Sequence, residues 1–598
     1  MFKKALFGFG VLFSVLFAIL QIGYKFQLYY IEQQQLFLFG KEHLLNALKT
    51  AGGLSIYLSH YCLQFFAIPY MGSLISASIL AFIAFLLHFI FKSYARKTSN
   101  QFFFEVLIVA ALLICQLDFN YLFSGTISFL LLSILLFLYS GIHKFNHRLF
   151  SNIVFAAILY WTAQPINILF VICALILDLK RYGIRYGLPF IPLIASIIGY
   201  SFYQAEGYVI LSRLTYTPAR YYYPDLMPNA IIYAPWVLLI IGLLTNKHLA
   251  ILLRRLFKHE YIQFTTQVVC IFFIVFFALK QYDDRKSYLF KGLDFYARNE
   301  EWQKIIDCFD HQKINNLLYL NYLNMALAQE EILVDSMFNY NQKGAAGLCV
   351  RWNNTQSISS ILSDIYYNVG NIALARRFAF ESNVCSPYNG NPRSLKRLVE
   401  TNIIYGDYKI AEKYISYLEQ SLMYSDWAKE KRELIYNPDS IESIPEYAAK
   451  RKDLKCTPHF TAAETLDRDL LYIINANKDN KPAEQYLFAS LMFNKNIPGF
   501  IEELQKIHPG AKLQTKGRNR KKEAIGEKPK LRPIYEQIVI AYAQQNPDIL
   551  KQYDISTASI DLFKAYNTVL EQHAHAPNVK DIMQNQFGNT YWFYYQFK

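Results

Sequence analysis

The chain has 598 residues, 53% of them hydrophobic, and carries a formal net charge of +14. This length gives room for several domains, each able to bury its own core. The charge does not indicate a nucleic-acid partner, because many of the basic residues sit in short loops beside apolar runs, where Lys and Arg act as topology determinants.

At the start of the chain, Met1-Phe2-Lys3-Lys4 precedes an apolar run from Ala5 to about Gly23. Only Tyr24-Lys25-Phe26 follows, with no small-x-small cleavage site, so the run reads as an uncleaved first membrane span. Further runs long enough to cross a bilayer lie at about 71–92, 102–118, 121–140, 149–163, 166–179, 187–203, 230–245 and 261–279. Together they predict an all-α, polytopic bundle of about nine spans within 1–280. Lys92, Arg96 and Lys97 follow the second run, and Lys144 and Arg148 the fourth. Lys180, Arg181 and Arg185 follow the sixth, and Lys247, Arg254, Arg255 and Lys258 the eighth. The turns at 118–121 and 163–166 carry no Lys or Arg. The positive-inside rule then makes the N-terminus cytoplasmic, and an odd number of spans puts everything after about Lys280 outside. Segments 24–70 and 204–229 share that outer side. The expected location is a bacterial inner membrane with a periplasmic C-terminal domain. Few charges lie within the spans, which argues against an ion-coupled carrier; Glu105, near the cytoplasmic end of the third span, is the only candidate for one.

The eight cysteines include no C-x-x-C pair. Cys62, Cys115, Cys173 and Cys270 read as packing residues in or beside spans. Cys308, Cys349, Cys385 and Cys456 lie in the second half, where an extracytoplasmic setting would permit a Cys349–Cys385 bridge.

After about residue 280 the pattern becomes amphipathic helix. Three stretches share a helix, a turn with Gly or Asn, and a second helix: 295–302, 365–375 and 403–411. Their turn residues Asn299, Gly370 and Gly406 are separated by 71 and 36 residues, close to two periods and one period of a repeat of about 34. These residues resemble tetratricopeptide repeats over 281–435, with a degenerate unit in Leu317–Asn341 and another pair near Tyr486–Leu504. Stacked helix pairs imply a concave surface for a protein or peptide partner. A further helical region occupies 436–598, and its basic stretch from Lys512 to Arg532 reads as a solvated loop because Gly517, Gly526 and Pro529 interrupt it.

Polar residues also gather on the expected outer side. The first outer segment contains Tyr29-Tyr30-Ile31-Glu32-Gln33-Gln34-Gln35, an amphipathic stretch to Lys49, Gly52-Gly53, and the apolar-aromatic run Leu54–Phe66. It reads as two interfacial helices joined at a glycine turn. Gln116, Asp118 and Asn120, then Gln164, then Glu206, Arg213, Arg220 and Asp225 face the same side.

A short first span, a long first outer loop with an early acidic residue, many further spans and an extracytoplasmic C-terminal domain resemble the GT-C membrane glycosyltransferases. The resemblance implies a polyprenyl-phosphate-linked sugar donor, with Glu32 as general base and Asp118 as a second or orienting acid. It also implies Arg213 and Arg220 on the donor phosphate, with Gln164 as a further substrate contact. Glu32 is followed by three Gln, whereas members of that family usually carry Asp or paired acids. The stretches Glu32–Leu38, Ser363–Ala379, 389–393 and Leu398–Tyr417 are also similar to an uncharacterised family of Bacteroidota inner-membrane proteins. No phosphate loop, dinucleotide fingerprint, H-E-x-x-H or G-x-S-x-G is present, and no cofactor or metal is indicated. His573 and His575, at i and i+2, do not share a helix face. The sequence therefore supports a membrane transferase first and a membrane-anchored repeat scaffold second.

Overall fold

A computed structural model describes residues 2–94, 102–118, 120–187, 189–204, 216–223, 226–283, 285–309, 314–386, 390–454, 465–516 and 521–598. The described residues are mainly helical, with one two-stranded sheet, and the chain divides into two compact units. The first comprises Met1–Lys291 with Gln420–Ser425, and the second Gly292–Glu419 with Asp426–Lys598.

Every predicted span in the first unit falls on a helix. Three helices are long and apolar enough to cross a membrane: Met71–Ser93, Ala230–Leu256 and Glu260–Tyr282. A fourth is available if Phe7–Gly23 and Lys25–Glu32, bent by 78°, count as one span. Phe103–Leu117, Ser124–Ser140 and Phe190–Tyr200 are shorter apolar helices. The helix Glu260–Tyr282 leaves Phe272 and Phe277 each 62% exposed, and Phe264, Phe273 and Phe276 beside them. A helix apolar on its exposed faces suits hydrocarbon rather than water. The packed interior runs from Leu16 and Leu20 through Leu80, Ile108, Leu132 and Leu159 to Phe170 and Leu239. Segment 24–70 contains the two expected helices, Lys41–Leu48 and Gly53–Leu63, on either side of Gly52 with φ +81°, and a further helix before them. Helices Lys25–Glu32 and Lys41–Leu48 are separated by an irregular stretch, because Leu36, Phe37 and Leu38 in succession bury their side chains, which one helical face cannot do.

The second unit repeats one turn. Backbone N–H groups of Glu301, Ile332, Asn371, Asp407 and Asn496 bond the carbonyls of Tyr296, Leu327, Tyr366, Asn402 and Leu491 at 2.8–3.0 Å. Each such i→i−5 bond closes a helix around one left-handed residue, so five helix pairs are built alike. Those residues are Glu300, Glu331, Gly370, Gly406 and Lys495. The first turn therefore pivots on Glu300 rather than Asn299, which precedes it. The stretch 317–341 contains the pair Leu317–Gln329 and Leu333–Ser336, and 486–504 lies in Lys481–Phe493 and Ile497–Ile507. Asn371, Asn391, Asn480 and Asn496 cap the helices that follow them by accepting a backbone N–H. Gly370 is needed twice over. Its φ is +90°, and a Cβ there would lie 2.3 Å from an Asp453 carboxylate oxygen. Small residues let the helices approach: Ala375 and Ala411 are fully buried, and Ser382 Oγ lies 2.8 Å from the hydroxyls of both Ser360 and Ser394.

The helix Pro445–Asp453 holds helix ends in the same unit. Lys450 Nζ donates to Asn368 O at 3.1 Å, and Arg451 donates to Ile403 O and Ile404 O at 3.1 and 3.2 Å. Cations here satisfy the last carbonyls of Gln356–Val369 and Pro392–Tyr405 and complement their dipoles. Part of the basic stretch expected as a loop is strand: Lys512–Lys516 pairs antiparallel with Lys521–Ile525. Alternation of Leu513 and Thr515 with polar neighbours lets a ladder form there, with Leu513 opposite Ala524. Cys349 and Cys385 are free thiols, bonded respectively to Tyr366 Oη at 3.4 Å and Asn354 O at 3.3 Å, so no bridge joins them.

Asp469, 4% exposed in the helix Leu466–Ala476, has its carboxyl pushed up to about 6 by burial. The unfolded value is near 4, so the folded state takes up a proton more readily and stability rises as pH falls from about 6 to 4. Asp469→Asn should therefore stabilise the protein at pH 8 by on the order of 2 kcal/mol, with the advantage gone at pH 4. Thermal melts at both values check this, and equal midpoints at pH 8 would refute it.

Candidate functional site

In the first unit, loops from several helices meet in one polar layer. Leu122 N donates to Tyr221 O at 2.9 Å and Tyr223 N to Asn120 O at 3.0 Å, which pairs Tyr121 with Tyr222 in a short antiparallel bridge. Tyr221 Oη donates to Ala163 O at 2.8 Å, Gly52 N to Trp161 O at 2.8 Å, and Arg220 Nη2 to Ala51 O at 2.7 Å. These bonds join the ends of Phe103–Leu117 and Phe145–Ala163 to the starts of Ser124–Ser140, Ile166–Tyr182 and Gly53–Leu63. Gly52 adopts φ +81°, and a Cβ there would meet Gln164 O at 3.1 Å, so the backbone approach at this point excludes larger residues.

Three of the sequence-derived residues belong to this layer. Asp118 is half-buried, and its carboxylate accepts from Tyr222 Oη at 3.1 and 3.2 Å and from Asn120 N at 2.9 Å. Gln164 is 2% exposed, beside Gly52. Arg220 holds the Ala51 carbonyl, so a ligand phosphate would have to engage its remaining N–H groups. Arg213, with Glu206 and Asp225, lies outside the described residues.

Glu32 ends the helix Lys25–Glu32, and Gln27 ties that helix to the layer by donating to Gln116 O at 3.1 Å and Asp118 O at 3.4 Å. Lys291 Nζ in turn donates to Gln27 Oε1. Glu32 is only 3% exposed. Its Oε1 accepts from Tyr424 Oη at 2.7 Å and its Oε2 from Gln33 Nε2, while Gln33 Nε2 also lies 2.9 Å from Tyr424 Oη. Tyr424 belongs to Gln420–Ser425, the distant segment grouped with the first unit, where Phe39 N donates to Gln420 O at 2.7 Å. A carboxylate buried this deeply is costly unless hydrogen-bonded, and tyrosine and glutamine supply those bonds. Among the described residues, no three His, Cys, Asp or Glu side chains converge as a metal site.

The sequence reading missed three polar pairings of this unit. Tyr424 lies 392 residues from Glu32 and carries no local signal. Arg148, expected as a loop charge, is fully buried against Asp178, with Nε to Oδ1 at 2.6 Å, because the helix Phe145–Ala163 begins before it. Tyr139 Oη completes this group by donating to Asp178 Oδ2 at 2.8 Å. Glu105, 1% exposed, lies 3.1 Å from His88 Nδ1.

A family model described as a family of unknown function (DUF6057) matches residues 2–598. No curated protein and no solved structure matches the chain.

Proposed function

Because the chain belongs to DUF6057, whose function is unknown, its activity has to be argued from its own residues, and we propose a multi-pass membrane glycosyltransferase of GT-C-like design. Buried Glu32, held by Tyr424 and Gln33 and tied through Gln27 to the Asp118 loop, carries this reading. Glu32 takes a proton from an acceptor hydroxyl as that oxygen attacks the sugar carbon, and the donor's phosphate leaves with the bonding pair. Tyr424 positions the carboxylate. Asp118 orients from the adjoining loop, and Gln164 and Arg220 contact the donor, with Arg213 as a second phosphate contact. The donor is a polyprenyl-phosphate-linked sugar. Alternating basic loops support about nine spans, a cytoplasmic N-terminus and a periplasmic second unit in a bacterial inner membrane. That unit is a tetratricopeptide-like array presenting an acceptor or protein partner.

Glu32→Gln keeps the shape and removes the base. It should abolish glycan transfer in a strain with unchanged membrane abundance of the protein, as read by surface-glycan blots. Tyr424→Phe should lower transfer by about tenfold, the worth of one hydrogen bond to a charged group. Normal glycans with Glu32→Gln would sink the transferase. The like-built helix pairs favour one second reading, a non-catalytic scaffold, in which Glu32→Gln is silent and Ala375→Trp, which breaks the close helix packing, is the damaging change.

A further inference from the structure

The second unit contains a cleft of about 700 Å³ between the loop after Leu333–Ser336 and the C-terminal helices Val579–Phe587 and Tyr591–Phe597. That volume lies within the usual range for small-molecule sites, about 300–1,000 Å³. Its composition is unusual. Primary amides dominate the walls, among them Asn339, Gln584, Gln586 and Asn589, all exposed and without side-chain hydrogen bonds among the described residues. Phe338 and Tyr594, with ring centroids 5.2 Å apart, lie beneath, and half-exposed Tyr340 stands at the side. Among the described residues no side-chain carboxylate lines the cleft, and the charged side chain there, Lys598, donates to Asn341 Oδ1 at 3.0 Å.

The walls are also held in place before any ligand arrives. Gln342 and Asn324 pair through both amides at 3.0 and 3.1 Å, and Gln342 Nε2 also donates to Met337 O at 3.0 Å. On the other wall Thr590 caps the last helix by accepting from Phe593 N at 3.3 Å. Preorganised walls spare a ligand the entropy of ordering them.

We infer that this cleft binds a neutral oligosaccharide. Each free amide presents a donor and an acceptor side by side, the pattern that adjacent sugar hydroxyls answer, since each hydroxyl both donates and accepts. Aromatic edges and faces meet the weakly apolar C–H faces of sugar rings. Amides outnumber the one cationic side chain of the lining, Lys598, so a neutral ligand rich in hydroxyls matches these walls better than an anion does. A peptide would need pockets for its side chains, and the lining offers amides instead. As the acceptor site of the transferase described above, the assignment rests on that reading; as a binding site it stands alone.

Calorimetric titration of the full chain in lipid nanodiscs with maltohexaose, cellohexaose, laminarihexaose and chitohexaose tests it. At least one should bind saturably with a millimolar or lower dissociation constant, and the double variant Gln586→Ala/Asn589→Ala should weaken that binding by about tenfold, the loss of about one net hydrogen bond. Both residues are exposed, so an unchanged melting midpoint separates lost contacts from lost fold. Glu32→Gln should leave binding intact, so failed transfer with normal binding counts against the base and not the cleft. Absence of saturable binding by all four sugars, or equal binding by the double variant, overturns the assignment. So does stronger binding of a neutral Gly/Asn/Gln peptide.

Discussion

Asp178→Ala should lower the melting midpoint of the detergent-solubilised protein by on the order of 10 °C, equivalent to about 3–5 kcal/mol. Asp178 and Arg148 are both fully buried, and the guanidinium is engaged elsewhere as well. Arg148 Nη1 donates to Tyr139 O at 3.1 Å and Ile142 O at 2.8 Å, and its charge lies 4.2 Å from the Tyr139 ring centroid. Removing the carboxylate takes from a buried guanidinium the charge it lies against, and the desolvation cost is no longer offset. The double variant Arg148→Met/Asp178→Leu removes both charges and should recover most of the loss. A midpoint for Asp178→Ala within a degree or two of the parent would show that the pair is not buried as described. A double variant as unstable as the single one would assign the loss to shape rather than charge.

The second large effect is expected at Arg393, which in the second unit bridges Asp294 and Asp364. Asp294 is 2% exposed and also accepts from Arg298 Nε at 3.1 Å and Tyr322 Oη at 3.0 Å. Arg397 lies 3.4 Å from Asp364 and 3.5 Å above the Tyr367 ring centroid, which links the cluster to Glu446 through Tyr367 Oη at 2.6 Å. Arg393→Met keeps most of the stem and deletes two ion pairs, for a loss of about 3 kcal/mol or more at neutral pH. The effect should depend on pH. Burial alone would push the Asp294 carboxyl up, but Arg393, Arg298 and the hydrogen bonds outweigh it and hold it below the usual range. A depressed carboxyl stabilises the fold above its unfolded value of about 4, and that stabilisation is lost as pH falls through the lower folded value. The gap between parent and Arg393→Met should be full at pH 7 and should narrow below about pH 4. A gap independent of pH would mean that Arg393 acts through packing of its stem alone.

Local pattern determined much of this protein. Apolar runs marked the helices of the first unit, because backbone groups in hydrocarbon must bond within their own segment. Gly370 and Gly406 marked their turns, because only glycine takes φ near +85° without strain. The first turn pivots on Glu300 and not on Asn299 because packing of the helices on both sides holds a non-glycine residue left-handed at some cost, which no local pattern marks. At 512–525, interruption by glycine looked like a loop, whereas strand pairing depends on a partner segment rather than on either stretch alone.

Of the candidate site, the sequence supplied the residue types and the loops, and Asp118, Gln164 and Arg220 do meet in one layer. The tertiary structure alone decided their states. Burial of Glu32 depends on Tyr424, almost 400 residues away, and Arg148 changes from a loop charge to an ion-paired core residue only because Asp178 faces it. The amide-lined cleft likewise joins residues near 340 and near 586, which share no periodicity. Helix and turn are written in bonds spanning a few residues and can be read from a short window. Burial, charge pairing and cavity shape depend on contacts whose separation in the chain is set only when the helices pack.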